Sequence, residues 1–313
     1  MTAALDLRGV TKQFGDHPVL RGLDLTVEAG QIFGFIGENG AGKTTTMRLI
    51  LGLERPDAGS LQVFGQPVTF GRTPTNKMIG YLPDVPAFYG DMSAREYLRL
   101  CAAITAGDPA DIAPLLHEVG LADDHRHIAG FSRGMKQRLG IAQALLGKPQ
   151  LLICDEPTSA LDPAGRNDFL TLLSGLRGSL TIVLSTHILT DVERICDHVG
   201  ILHDGVLQEQ GPLAALKNKY AQAAISLTFA SEAETATAAK ILNILASTPA
   251  ASTQQAPAAP TPLTLPYTGD YAPAATRVMA ALAQAGLAPL TFARVDPTLD
   301  QVFMEVIRST TPD

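Results

Sequence analysis

Residues 37–44, Gly-Glu-Asn-Gly-Ala-Gly-Lys-Thr, have the types and spacing that bind phosphate groups. Glycine lets backbone N–H groups approach a phosphate closely, and the N-terminus of a following helix favours negative charge. Lys43 would place a cation at the outer phosphates of a nucleotide, the Thr44 hydroxyl would bind Mg²⁺, and Thr45 would bond a further phosphate oxygen. The alternative is a glycine-rich turn that matches by chance. The predicted phosphate-binding residues are Gly37, Glu38, Asn39, Gly40, Ala41, Gly42, Lys43, Thr44 and Thr45.

Two adjacent acids follow the apolar stretch 151–154, which has the character of a buried strand. Asp155 would hold Mg²⁺, in part through water, and Glu156 lies where a carboxylate could accept a proton from an attacking water. Two solvated acids at a strand end are the alternative, which the upstream phosphate loop disfavours. By comparison with related folds, we expect the strand of the acids to lie next to the strand that leads into the phosphate loop.

Alternating strands and helices are predicted around these residues, which indicates an α/β core with a parallel sheet. The apolar patterns predict strands at 5–14, 19–27, 32–36, 151–154 and 181–184. Helices are predicted at 43–51, 93–100, 110–119, 134–146 and 163–176. Ser93 and Glu96 have the spacing of a capping box at the start of the second of these helices.

The pattern changes after Gly211, where a small α+β accessory domain is predicted. Strands are expected at 225–229, 263–266 and 290–294, and helices at 232–245, 272–285 and 299–308. Residues 247–262 are rich in Pro, Ala, Thr, Ser and Gln, a composition typical of a flexible loop. We therefore predict two domains, 1–217 and 218–313.

Composition limits the possible partners and compartments. The net charge of −7 disfavours binding to nucleic acid or to an anionic membrane surface. The three cysteines lack the spacing of a metal or redox site, which suits a reducing cytoplasm. Because no run of about 18 apolar residues is present, another chain would have to supply any membrane-spanning part.

Three more motifs accompany the phosphate loop and the acids in a fixed order along the chain. They are Phe131-Ser132-Arg133-Gly134-Met135, Ser159-Ala160-Leu161-Asp162 and Ser185-Thr186-His187. The whole series, over roughly residues 3–212, resembles the ATP-binding subunit of ABC transporters. The resemblance implies a P-loop NTPase (RecA-like) core, an antiparallel β subdomain and a helical subdomain that carries the signature motif. It also implies ATP and Mg²⁺ as the ligands.

The signature motif of this family, usually Leu-Ser-Gly-Gly-Gln, is altered here. Ser132 and Gly134 remain, whereas Phe131, Arg133 and Met135 replace the other three residues. The resemblance implies that Ser132 and Gly134 bind the γ-phosphate of ATP held by a second subunit in a head-to-tail homodimer. An ordinary capped helix start is the alternative.

Three further roles follow from the resemblance alone. His187 would contact the γ-phosphate and position the attacking water. Phe14 would stack on adenine, although sequence alone also allows a core aromatic. Asp84 replaces a glutamine of the family that contacts the metal or the water, and its alternative role is that of a turn residue.

Residues 131–138 and 296–303 resemble the ATPases of multicomponent bacterial ABC exporters. The resemblance implies a separate membrane permease and a cytoplasmic, peripheral position on the inner face of the cell membrane. Phe88 and Tyr89 are predicted to anchor the permease; packing against their own domain is the alternative. A second class, ABC ATPases that act on ribosomes or DNA, usually has two cassettes or a coiled-coil insertion, and neither occurs here. A third class, a module that binds ATP without hydrolysing it, would require the loss of Glu156 or His187, and both residues are present.

Overall fold

The structure, a computed structural model, describes residues 3–71, 73–105, 107–220, 223–245, 262–267 and 269–310. The chain divides into two compact units. The first comprises the residues up to Leu213 together with the end of the last helix from Val306, and the second comprises Ala214–Glu305. The predicted loop 247–262 lies outside the described residues except for its last position.

The strands of the first unit are β1 (Ala3–Phe14), β2 (His17–Glu28), β3 (Ile32–Gly37), β4 (Ala58–Val63), β5 (Gln66–Pro67), β6 (Ile79–Leu82), β7 (Leu151–Asp155), β8 (Thr181–Thr186), β9 (His198–His203) and β10 (Val206–Pro212). Its helices are α1 (Lys43–Ile50), α2 (Ala94–Thr105), α3 (Ile112–Glu118), α4 (Arg133–Leu145), α5 (Pro163–Gly175) and α6 (Leu189–Ile195). Helix α7 (Leu213–Tyr220) leads into the second unit.

A six-stranded sheet in the order β10-β9-β3-β8-β7-β6 forms the centre of the first unit. The strands from β9 to β6 run parallel, and β10 is antiparallel at one edge. Every residue of β3, β7 and β8 is buried, as expected for strands with both faces covered. The carboxyl ends of these three strands therefore meet at one edge of the sheet.

The expected neighbour relation between the acid-bearing strand and the phosphate-loop strand is wrong. Strand β8 lies between β3 and β7 and pairs in parallel with both. Its register places Ser185 opposite Phe35 on one side and opposite Asp155 on the other. The apolar residues 182–184 in the middle of β8 suit this buried central position, and the crossover from β7 to β8 passes through α5. The strand that ends in the His187 motif thus separates the phosphate loop from the acids.

An antiparallel sheet in the order β2-β1-β4-β5 packs against the phosphate-loop side of the parallel sheet. Alternate residues of β1, including Leu5 and Leu7, are buried in a core that also contains Phe33, Phe35 and Met47. This core fixes β3 and α1, the two elements that hold the phosphate loop.

The helical part of the first unit follows the predicted pattern with small differences in length. Before α2, the Ser93 main-chain N–H donates to Glu96 Oε2 at 2.8 Å, which confirms the capping box. Helix α2 continues to Thr105 rather than ending at position 100, because Ala102 continues the buried stripe. Helix α3 begins two residues later than predicted, after a 3₁₀ turn that starts at Pro109.

The second unit contains a three-stranded antiparallel sheet with two helices packed on it. Its elements are β11 (Ala224–Thr228), α8 (Glu232–Leu245), β12 (Leu263–Pro266), α9 (Tyr271–Gln284) and β13 (Thr291–Val295), followed by α10 (Leu299–Thr310), which ends in the first unit. The strand order is β12-β11-β13. Ile225, Leu227, Phe229 and Leu282 are among its core residues. The predicted α/β core with an additional α+β region is confirmed.

Candidate nucleotide site

The phosphate loop connects β3, which ends at Gly37, to α1, which begins at Lys43. Gly42 has a φ of 110°, in the left-handed region that favours glycine. A Cβ on Gly42 would lie 2.7 Å from Leu20 Cδ2. A Cβ on Gly37 would lie 2.4 Å from the carbonyl oxygen of Leu202. Both positions therefore require glycine, and the loop brings bare backbone to the N-terminus of α1.

Lys43 is directed into this loop. Its Nζ donates to the carbonyl oxygens of Gly37 at 2.7 Å and Glu38 at 3.1 Å. The same Nζ lies 3.5 Å from Oε1 of Glu156. Because the side chain is 5% exposed, a charge held here is poorly screened by water. The loop thus places a partly desolvated cation beside the predicted base.

Glu156 joins the phosphate loop to the histidine motif. Its Oε2 lies 2.9 Å from Nδ1 of His187 and accepts a hydrogen bond from the Thr186 hydroxyl at 3.3 Å. Its main-chain N–H donates to the Ser185 carbonyl at 2.8 Å. One carboxylate therefore contacts Lys43 with one oxygen and the His187 motif with the other.

The backbone at Glu156 is strained. Its φ of 45° lies in the left-handed region, where a residue other than glycine costs roughly 1–3 kcal/mol. The main-chain hydrogen bond to Ser185 and the side-chain contacts hold it there. Such strain is commonly found at functional sites, and here it turns the carboxylate towards the loop.

Asp155 is buried at the end of β7, with 4% of its surface exposed. Burial raises the pKa of its carboxyl group, and the hydroxyls of Thr44 and Ser185 act in the opposite direction. The negative charges of Glu156 and Asp84 add to the rise in pKa. Even so, Oδ1 of Asp155 is buried without a hydrogen-bond partner among the described residues. A buried, unsatisfied carboxylate oxygen beside a hydroxyl fits a hard cation that prefers oxygen ligands.

The signature residues lie elsewhere in the first unit. Ser132 is the N-cap of α4, and its Oγ accepts a hydrogen bond from the Met135 main-chain N–H at 3.2 Å. Ser132 and Gly134 line a cavity of about 530 Å³ together with Asp162. Between described residues, no hydrogen bond or ion pair connects Ser132 or Gly134 to the loop 37–45. The chain therefore brings Lys43, Asp155, Glu156 and His187 together, and leaves the signature separate.

Phe14 and Asp84 occupy exposed positions. Phe14 is 45% exposed, with Nζ of Lys12 4.9 Å from its ring centroid, so the side chain is not part of the core. Its stacking on adenine stays a prediction. One carboxylate oxygen of Asp84 accepts a hydrogen bond from the Ser159 hydroxyl at 2.8 Å. Part of the capacity of Asp84 to bind a metal is thus already used by a protein donor.

Several contacts in the site had no signal in the sequence. Asp191, 1% exposed, accepts from the Thr158 hydroxyl and from Nε of Arg166, each at 2.5 Å. Gln137, buried in α4, donates to the carbonyl of Asp84 at 3.1 Å. These partners lie 25 to 53 positions apart in the sequence, so only the folded chain reveals them.

A strand–loop–helix that carries Lys43, and a pair of acids at the end of another strand of the same parallel sheet, define a P-loop NTPase. The ABC transporter domain family matches residues 20–159 of the chain. The chain is 41% identical over 223 residues to the bacitracin transport ATP-binding protein BcrA of Bacillus licheniformis, which covers 70% of the chain and 73% of that protein. It is 40% identical over 212 residues to the Nod factor export ATP-binding protein I of Cupriavidus metallidurans, covering 66% of the chain and 70% of that protein.

A solved structure described as an ATP-binding subunit of an ABC transporter matches with a TM-score of 0.62 and 33% identity. That match covers 69% of this chain and 93% of the solved one. The chain belongs to the ATP-binding subunits of ABC transporters, and it is an ATPase that powers transport through a separate membrane permease. The prediction of family, fold and ATPase activity from sequence is therefore confirmed.

Proposed function

We propose that this chain is the Mg²⁺-dependent ATPase of a bacterial exporter and that it hydrolyses ATP between two copies of itself. The grouping of Lys43, Asp155, Glu156 and His187 at one edge of the sheet is the observation that carries the proposal. Export is supported by the names of two relatives, one a bacitracin transport protein and one a Nod factor export protein. The cargo of this chain is not implied by those names.

Mg²⁺ would be held by Asp155 and by the hydroxyl of Thr44. The unsatisfied Oδ1 of Asp155 supports this proposal, as does the proximity of Thr44. Among the described residues, no cluster of three or more His, Cys, Asp or Glu side chains could hold a metal ion unaided. This suits Mg²⁺ in an ATPase, which is bound by one or two protein groups together with the phosphates. The ion would neutralise charge on the phosphates as the bond to the leaving group breaks.

Hydrolysis would use the other three residues. Lys43 would exchange its carbonyl partners for the β- and γ-phosphate oxygens. Glu156 would accept a proton from water as the water oxygen bonds to the γ-phosphorus and the bond to the bridging oxygen of ADP breaks. His187, already in contact with Glu156, would hold the water and a γ-phosphate oxygen, while Phe14 would stack on adenine. The loop glycines and Thr45 would provide the remaining phosphate contacts.

A second copy of the chain would complete the site. The separation of Ser132 and Gly134 from the phosphate loop of the same chain supports this proposal. Both residues stand at the N-terminus of the 13-residue helix α4, which favours an anion. Ala160, Leu161 and Asp162 line the cavity beside them, and the segment 159–162 would cross to the partner there.

Ser132→Arg tests this arrangement. We expect ATPase activity to fall about 100-fold, the typical cost of removing one donor to a reacting group, while ATP binding by the monomer is unchanged. Lys43→Ala is the control with the opposite expectation: it removes the main cation for the phosphates, so this variant should no longer bind ATP. A mixture of the two inactive variants should regain activity, because one composite site is then intact. Equal loss of ATP binding by both variants would show that Ser132 acts within its own chain.

The permease would dock on the loop that follows β6. Among the described residues, no helix is both long and apolar enough to cross a bilayer. Val85 and Tyr89 are 78% and 63% exposed, whereas Phe88 packs edge-on against Tyr97 with ring centroids 5.1 Å apart. Tyr89 and Val85, rather than Phe88, are therefore the proposed anchors. Docking there would hold the chain on the cytoplasmic face of the membrane.

A further inference from the structure

A chain of hydrogen bonds runs from the signature helix to the predicted base through Asp84. Nε2 of Gln137, in α4, donates to the main-chain carbonyl of Asp84 at 3.1 Å. The carboxylate of Asp84 accepts a hydrogen bond from the Ser159 hydroxyl at 2.8 Å. The main-chain N–H of Ser159 donates to the carbonyl oxygen of Glu156 at 3.3 Å, and the Ser159 hydroxyl lies 3.0 Å from the same oxygen.

The two ends of this chain differ in burial. Gln137 is 3% exposed, and its Oε1 has no hydrogen-bond partner among the described residues. The side-chain amide of Gln137 is therefore held by its hydrogen bond to Asp84. The Asp84–Ser159 contact is exposed, so it can form and break without unfolding the core. Asp84 is thus attached to α4 through a buried side chain and to the segment after Glu156 through an exposed contact that can break. Such a residue can link the signature helix to that segment.

Charge also distinguishes Asp84 from a simple turn residue. Its carboxylate is close enough to Asp155 to act on it electrostatically. A third acid near Asp155 and Glu156 would resemble a metal ligand, but one of its oxygens already accepts from Ser159. The other donor, Gln137, holds the main chain rather than the carboxylate. The contacts within the protein thus direct the side chain towards Ser159.

We propose that Asp84 is a positioning residue: it links the signature helix to the backbone of Glu156 through Ser159 and does not bind the metal. The proposal rests on the proposed hydrolysis at Glu156. Strained backbone at Glu156 needs contacts that hold it, and the main-chain N–H of Ser159, three residues later, provides one of them. When the link is broken, the segment 156–162 should become more mobile, and the base should be aligned less often.

Asp84→Ala and Ser159→Ala, singly and combined, test the link. Loss of one exposed hydrogen bond should lower kcat about fivefold in each single variant. Since both variants break the same contact, the double variant should be no slower than the slower single one. The KM for ATP and the Mg²⁺ concentration for half-maximal activity should be unchanged. Asp84→Asn, which keeps an oxygen acceptor, should restore most of the rate, and Asp91→Ala removes an exposed acid from the same loop as a matched control.

Hydrogen exchange of the nucleotide-free protein gives a readout independent of turnover. Amides in the segment 156–162 should exchange faster in both single variants, and those of the loop 37–45 should not change. A Mg²⁺ requirement that rises in Asp84→Ala but not in Ser159→Ala would overturn the proposal and make Asp84 a metal ligand. Wild-type rates of ATP hydrolysis and of hydrogen exchange in both variants would also overturn the proposal, because the contact would then have no effect on the site. A wild-type protein that fails to hydrolyse ATP would instead contradict the proposed function.

Discussion

At the scale of single residues, the site is organised around charges that have been removed from water. Lys43 and Asp155 are both almost fully buried, yet Nζ of Lys43 has direct protein partners whereas Oδ1 of Asp155 has none among the described residues. The phosphate loop is thus prepared for an anion, and Asp155 is left with an unsatisfied oxygen. Such an arrangement costs stability in exchange for a ready binding site.

Asp155→Asn should therefore stabilise the nucleotide-free protein while it abolishes Mg²⁺-dependent turnover. Burial raises the pKa of Asp155, so the ionised folded state bears a cost at neutral pH that a neutral amide avoids. We expect Tm to rise by about 2 °C in the absence of Mg²⁺ and nucleotide, measured by calorimetry.

The pH dependence of that difference follows from linkage. Above the raised pKa, both the folded and the unfolded chain carry the ionised carboxyl, and the cost is complete. As pH falls through the raised pKa towards about 3.9, the folded state gains the proton first and the cost disappears. The Tm difference between variant and wild type should shrink over this range; a constant or growing difference would contradict the assigned cause.

At the scale of elements, the sequence predicted most helices and strands, but not β4, β5, β6, β9, β10, α6 and α7, and not the order of strands in the sheet. Strands β7 and β8 each contain a short apolar run, and nothing local in either sequence tells which lies beside β3. Likewise, the Asp84–Ser159 contact joins residues 75 positions apart. The phosphate loop, in contrast, could be predicted from the sequence, because the residues that act together in it are neighbours in the chain.

The loop after β6 shows the same limit in a surface feature. Two adjacent aromatics predicted an anchor, but the fold uses Phe88 for packing on Tyr97 and leaves Tyr89 exposed. Both rings lie near Tyr97, with centroid distances of 5.1 Å for Phe88 and 6.4 Å for Tyr89, and the sequence could not tell which of the two would be more exposed. Of the predicted pair of anchor residues, Tyr89 is the one that is largely exposed, and Val85 is exposed in the same loop.

Tyr89→Ala combined with Val85→Ala should weaken permease binding about tenfold or more, as expected for an exposed interface anchor. Basal ATPase activity should be unaffected, because neither side chain reaches the phosphate loop. Phe70→Ala, which removes an aromatic that is 63% exposed elsewhere, is the matched control. Co-purification with the permease at the wild-type level would rule out this loop as the docking surface.

At the scale of the whole molecule, the nucleotide site lies within the first unit. The residues proposed to bind nucleotide and metal fall between Phe14 and His187, and the second unit has its own core. We propose that the second unit is an accessory domain with a regulatory or dimer-stabilising role. The predicted boundary at 217/218 and the observed division at 213/214 both fall around α7.

A chain that stops after Leu213 should retain ATP affinity within about twofold of wild type in calorimetry. It should unfold at a lower temperature, because it also lacks the end of α10 that belongs to the first unit and includes the buried Val306. A folded truncated protein that no longer binds ATP would show that the accessory unit contributes to nucleotide binding.

The most direct test of the account compares Glu156→Gln with wild type in ATP binding and ATP hydrolysis. Glutamine nearly matches glutamate in shape but cannot accept the proton from water, so hydrolysis should fall at least about 100-fold. Binding should remain, and a stable ATP-bound dimer should appear in size-exclusion chromatography because closed copies no longer turn over. Hydrolysis by Glu156→Gln at the wild-type rate would contradict the role of Glu156 as the base and, with it, the proposed mechanism.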